Sequence, residues 1–169
     1  MIKVVLKDGS VKEIEQGKLV IEVAKEISPS LAKKSLVGKI NGVLVDLKTP
    51  INEDCNLELV LIDDAEGLDV LNHSCAHLLA HAMKRLYPGT CYGVGPAIEE
   101  GFYYDFSVPA TVKIEDLPKI EAEMKKIVKE NIAIKRYVLS KEEAKVKFAN
   151  DKFKCELIGF VASKFCIFA

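Results

Sequence analysis

All three histidines of this 169-residue chain fall on one short stretch, Asn72-His73-Ser74-Cys75-Ala76-His77-Leu78-Leu79-Ala80-His81. A spacing of four is the helix repeat, so neighbouring imidazoles can face one site. Imidazoles titrate near neutral pH, and two of them side by side can move a proton or bind a metal. The metalloprotease pattern His-Glu-x-x-His is broken, because Ser74 stands where the general-base glutamate belongs. His73 and His81 lie about 12 Å apart along a helix axis, too far to share a zinc ion at bond lengths of about 2.0–2.1 Å. At most two can ligate together, which leaves His73 and His77 as a possible zinc pair. Drawn as a helix, the segment gathers Leu68, Leu71, Cys75, Leu78, Leu79, Ala82 and Leu86 into one apolar stripe. His73 and His77 fall nearly opposite it, flanked by Ala76 and Ala80, whose small side chains would let a substrate come close.

The elements that must position these residues can be read from periodicity. Ile2, Val4 and Leu6 alternate with lysines before Asp8-Gly9, and Val11 and Ile14 follow, which predicts a hairpin. A helix over 19–27 ends at Ser28-Pro29, a second hairpin turns at Asn41-Gly42, and a last strand covers 56–62. The order ββαββ suggests a β-grasp module, a sheet wrapped over one helix. At Asp63-Asp64-Ala65-Glu66-Gly67 the period changes from two to 3.6, so residues 1–63 are expected to form one domain and 64–158 another. The histidine helix should run over 68–87 and stop at Pro88-Gly89. In the glycine-rich stretch 91–106, Gly93-x-Gly95 lacks the third glycine of a dinucleotide fingerprint and no P-loop lysine follows, which removes both nucleotide readings. There Phe102, Tyr103 and Tyr104 should alternate between core and cleft. An amphipathic helix is expected over 114–131 with Ile120, Met124, Ile127 and Val128 inward, then a strand over 132–139. Ser140-Lys141-Glu142-Glu143 is a capping box opening a helix through 148. Residues 152–158 read as a returning strand.

Composition narrows the partners. Lysine and arginine number 24 against 25 acids, so no strong field draws the chain to DNA, and any RNA contact must be local. No stretch approaches the roughly 20 apolar residues that span a bilayer, and no signal core opens the chain. A cytoplasmic protein without a membrane partner is expected. The five cysteines include no Cys-x-x-Cys pair, so reduced and mostly buried thiols are expected.

In order and spacing, these stretches resemble the bacterial threonyl-tRNA synthetases over residues 1–158. Leu6-x-Asp8-Gly9-Ser10, Leu31-Ala32-Lys33 and Asn41-Gly42-x-Leu44-Val45-Asp46 resemble the TGS domain. Glu66-Gly67-Leu68, His73-Ser74-Cys75-Ala76-His77-Leu78-Leu79, Gly95-Pro96-x-Ile98 and Gly101-Phe102-Tyr103-Tyr104-Asp105 resemble the start of the editing domain. The resemblance implies an α+β fold: a β-grasp (TGS-like) domain, then an incomplete α+β editing domain of the threonyl/alanyl-tRNA synthetase type. It also implies a reaction, hydrolysis of Ser-tRNA(Thr), with the acceptor end of tRNA(Thr) as partner. Serine and threonine differ by one methyl group, worth only about 1–3 kcal/mol in a pocket, so a second site must destroy the error. By the same resemblance His73, His77 and Lys154 would be catalytic. His73 would orient or deprotonate the attacking water, and Lys154, in Phe153-Lys154-x-Glu156-Leu157, would stabilise charge on the ester carbonyl or hold the terminal ribose. Gly95 and Tyr104 would shape the substrate pocket, and editing would require no cofactor.

The chain also departs from that family. A Cys-x-x-x-His element should complete the site, yet Gly159 stands four residues after Cys155 and no histidine follows His81. Residues 159–169 no longer resemble the family and are expected to form a divergent tail. The family's aminoacylation domain, to which ATP and the catalytic zinc belong, has no counterpart in this sequence. The expectation is therefore an N-terminal fragment of a threonine--tRNA ligase whose editing is weak or absent. Two other readings stay open: a non-catalytic RNA-binding or regulatory TGS module, and a free-standing zinc-dependent trans-editing hydrolase.

Overall fold

The computed structural model describes residues 1–133, 136–160 and 164–168, with side chains for 1–133 and 138–160. The molecule divides into two compact units, Met1–Asn72 and His73–Ala169.

In the first unit, β1 (Ile2–Leu6) and β2 (Val11–Ile14) pair antiparallel with Ile2 opposite Ile14. β3 (Lys18–Leu19) leads into α1 (Val20–Ile27) and α2 (Pro29–Lys34). β4 (Ser35–Ile40), β5 (Val43–Val45), β6 (Pro50–Ile51) and β7 (Cys55–Leu61) follow. The sheet order is β2-β1-β7-β4-β5, with β1 parallel to β7, and β3 pairs apart with β6. A parallel pair needs a long crossover, here the run from α1 through β6. The expected β-grasp therefore stands, with α1 packed by Val20, Val23 and Ala24 on its buried face. Val4, Ile14, Val20, Val23, Ile51 and Leu57 are each 2 % exposed or less, and full burial of such side chains is worth about 1.5–3 kcal/mol apiece. The Glu22 carboxylate accepts from the Leu19 N–H at 2.8 Å and fixes the start of α1. The β4–β5 turn needs positive φ at two positions, supplied by Asn41 at +49° and Gly42 at +83°.

α3 (Ala65–Leu86) carries the histidines, beginning three residues earlier than expected. β8 (Cys91–Tyr92), β9 (Ala97–Ile98), β10 (Gly101–Phe102) and β11 (Phe106–Ser107) form two small pairs, β8 with β11 and β9 with β10. A 3₁₀ turn at Ile114–Asp116 precedes α4 (Leu117–Glu130). Ala82, Met83, Ile120 and Ile127 make the second core, with Leu78, Leu79, Leu86, Phe106 and Met124 against it. β12 (Arg136–Ser140), α5 (Lys141–Lys147), α6 (Lys152–Phe160) and β13 (Lys164–Phe168) complete the chain. β12 and β13 pair antiparallel, Ser140 opposite Lys164, so part of the expected tail is a strand; residues 161–163 and 169 lie outside the described residues.

Several expectations are corrected. Residues 152–158 are helix, not strand, because Asp151 caps them: its carboxylate accepts from the Lys154 N–H at 3.1 Å. Val128 is 61 % exposed, since Ile120, Met124 and Ile127 already fill the inward face of α4. Leu68 is 47 % exposed while Ala76 is fully buried. Apolar packing on α3 starts at Ala76 and is centred nearer Met83, so Ala76 is core and does not line a cleft. Among the described cysteines Cys55 is buried, while Cys75, Cys91 and Cys155 are half-buried.

Candidate functional site

One turn of α3 separates His73 from His77, and their Nε2 atoms stand 3.1 Å apart. The ring centroids are 4.7 Å apart with the planes at 88°. At that distance one Nε2 carries the hydrogen that the other accepts. Both residues present exposed surface. Partial burial of the His77 ring, then the neighbouring His73 and the Lys154 ammonium, push its pKa down from 6.5, which keeps His77 an uncharged base near pH 7. His81 belongs elsewhere. It sits beside Arg85, whose guanidinium grips Glu130 through two 2.7 Å bonds and Glu123 at 3.2 Å, and burial followed by the Arg85 charge lowers its pKa.

Lys154 stands in the first turn of α6. Besides capping Lys154, Asp151 donates its own N–H to Phe148 O at 2.8 Å and accepts from the Cys155 N–H at 3.0 Å. The Lys154 Nζ lies 5.5 Å from the Phe148 ring centroid, a cation–π seat that orients it. Its charge is the smallest of the three causes that lower the His77 pKa, so α6 carries Lys154 on the histidine side of the unit, while His73 and His77 are the two candidate residues in direct contact.

Gly95 and Tyr104 also meet. A Cβ on Gly95 would lie 2.2 Å from Tyr104 Cδ2, so the tyrosine ring occupies the space a side chain would need. The Gly93 N–H donates to Asp105 O at 2.9 Å and the Asp105 N–H to Val94 O at 3.0 Å, which holds the two segments in register. Tyr104 stacks on Phe106 at 4.6 Å and 6°, and Tyr92 stands edge-on to both. Burial, then the Asp151 carboxylate, pushes the Tyr104 phenol up. For Tyr92 burial, Tyr104 and Asp151 together push it to about 12. Asp151 thus adds its charge to the burial that raises both phenols and caps the lysine turn. Neither Asp151 nor Tyr92 stood out in the sequence, although an aspartate three residues before Lys154 is a helix-start signal.

The pair of ring nitrogens at 3.1 Å comes close to the edge of a zinc tetrahedron, about 3.3 Å at bonds of about 2.0–2.1 Å. They supply two of the four donors a zinc ion takes, and no group of three or more His, Cys, Asp or Glu converges among the described residues. A groove of about 350 Å³ lies apart from the histidines, lined by Val94, Phe106, Phe153, Leu157 and Phe160 among others. Its lining is mainly apolar, with Asp105, Ser107 and Glu156 among it, and includes none of the candidate residues. The arrangement at His73, His77 and Lys154 is a neutral base beside a fixed cation, which suits attack by water on a carbonyl. Among the described residues no helix is long and apolar enough to cross a membrane.

Comparison with known proteins shows what the chain is similar to. The TGS domain family matches residues 2–61. The chain is 56% identical over 159 residues to threonine--tRNA ligase of Lactococcus lactis, covering 94% of this chain and 25% of that protein. It is 51% identical over 163 residues to threonine--tRNA ligase 1 of Bacillus subtilis, covering 95% of this chain and 25% of the relative. The ligase of Acetivibrio thermocellus is 50% identical over 161 residues, with 94% and 25% covered. The chain thus spans about a quarter of the length of these relatives.

Proposed function

Because residues 2–61 are a TGS domain and the chain is similar over nearly its whole length to the N-terminal quarter of threonine--tRNA ligases, we propose that it acts on the acceptor end of tRNA(Thr) in the cytoplasm and hydrolyses a wrongly attached serine. The observation that carries this is the His73–His77 pair, whose Nε2 atoms stand 3.1 Å apart on one turn of α3. Water gives a proton to His73, and its oxygen bonds to the ester carbonyl carbon. The oxyanion that forms faces Lys154. The carbonyl–ribose C–O bond then breaks, the proton passes to the ribose oxygen, and serine and tRNA are released. Water is the sole co-reactant, so the reading calls on neither ATP nor a metal. Gly95 and Tyr104 form the wall that threonine's additional methyl would strike. Residues 64–158 act as the editing portion, with 159–169 outside it. Turnover is slow, because both histidines are exposed and charge is stabilised weakly where water enters.

The alternative in which the TGS unit binds RNA alone is less well supported, since residues 1–72 carry nine lysines against thirteen acids. Release of labelled serine from Ser-tRNA(Thr) tests the proposal. Serine should leave about 10–200-fold faster than threonine from the correctly charged tRNA. His73→Ala and Lys154→Ala should each fall to the uncatalysed rate, and a chelator should leave the rate unchanged. Equal release of both amino acids, or indifference to both substitutions, would overturn it. Loss on chelation with recovery on zinc would establish the zinc-dependent hydrolase instead.

A further inference from the structure

The geometry points to Asp151 as a positioning residue for this site: by capping α6 it fixes where the Lys154 ammonium stands against the histidine pair. The inference rests on the functional reading above, but its structural content is separate. Residues 148–155 form a closed turn in which Asp151 is the hub. Its Oδ1 takes the Lys154 N–H at 3.1 Å, and its backbone ties back to Phe148 at 2.8 Å and forward to Cys155 at 3.0 Å. The Cys155 Sγ donates to Phe148 O at 3.2 Å, closing the far side. Phe148 is in turn the ring under Lys154 Nζ, at 5.5 Å.

The lysine is thus held at both ends, its backbone by Asp151 and its ammonium by a ring whose own backbone Asp151 holds. The carboxylate makes the first of these contacts directly, and the second depends on the Asp151 backbone that the cap holds in place. If Asp151 lets go, α6 frays from its first turn and the ammonium moves. Ile158, fully buried in the last turn of α6, would still anchor the rest of the helix, so the loss would be local.

Four substitutions separate position from charge. Asp151→Asn keeps the acceptor oxygen and loses the charge, while Asp151→Glu keeps the charge and misplaces the oxygen. Asp151→Ala loses both, and Lys154→Ala is the reference. Two readouts are compared: serine release, and the titration midpoint of the His77 ring by NMR, which needs no turnover. Asp151→Ala and Asp151→Glu should lose at least 10-fold in rate and move the His77 midpoint upward toward that of Lys154→Ala, with Asp151→Asn close to the parent in both. In an Asp151→Ala, Lys154→Ala double variant the midpoint should not move beyond that of Lys154→Ala alone. Should Asp151→Ala fail to fold, the Glu and Asn pair still decides. An unmoved midpoint in Asp151→Glu and Asp151→Ala, or an Asn variant that behaves like Ala, overturns the inference. If the parent chain releases no serine while the midpoints shift as stated, the hydrolytic reading fails and the positioning role stands.

Discussion

Gly95 and Tyr104 share one volume, and that fact carries a prediction. With 2.2 Å between the would-be Cβ and Tyr104 Cδ2, Gly95→Ala must swing the tyrosine off its stack on Phe106. Overpacking of this kind costs about 1–3 kcal/mol, readable as a lower urea midpoint, and Tyr104→Ala should relieve most of it in the double variant. The histidines make a second prediction. His77 and His81 both titrate below 6.5 in the folded chain, chiefly through burial. As pH falls through 6.5 the unfolded chain takes up protons first, so stability is full above that value and declines as pH falls toward the folded pKa values. Melting curves between about pH 7.5 and pH 5 should show this decline, and a His77→Gln, His81→Gln variant should flatten it. A decline of the same size in that variant would assign it to other groups.

At the scale of elements, legibility followed how local the cause is. The Asn41-Gly42 turn and the capping box at Ser140 were readable because each depends on residues within one turn. In the fold Ser140 Oγ accepts from the Glu143 N–H at 3.2 Å, and the Glu143 carboxylate accepts from the Ser140 N–H at 2.8 Å. Ser140→Ala should therefore destabilise α5 by about 0.5–2 kcal/mol, with Ser140→Asp near the parent in chemical denaturation. Residues 152–158 read as a strand because Phe153, Cys155 and Leu157 alternate with charged residues, while the deciding bond comes from Asp151 outside the pattern. The candidate site shows the same division. The His73–His77 spacing is intrinsic to one helix and could be read directly. The seat of Lys154 on Phe148 and of Tyr104 against Gly95 are contacts between segments, and no periodicity encodes them.

Over the whole molecule, charge is unevenly shared. Residues 1–72 hold nine lysines and thirteen acids, residues 73–169 fifteen lysines and arginines and twelve acids. Phosphate contacts are therefore expected from the second unit. Lys12→Glu with Lys33→Glu should leave the salt dependence of acceptor-stem binding unchanged, while Lys152→Glu should shallow its slope by about one; fluorescence anisotropy across a salt series reads both. The Arg85 fork gives the second unit a further property. It ties the last turn of α3 to α4 at Glu123 and Glu130 together, so neither helix end can lift alone. Amide protons there should exchange as one cooperative block, so the slow clock of deuterium uptake would time the departure of two helices at once.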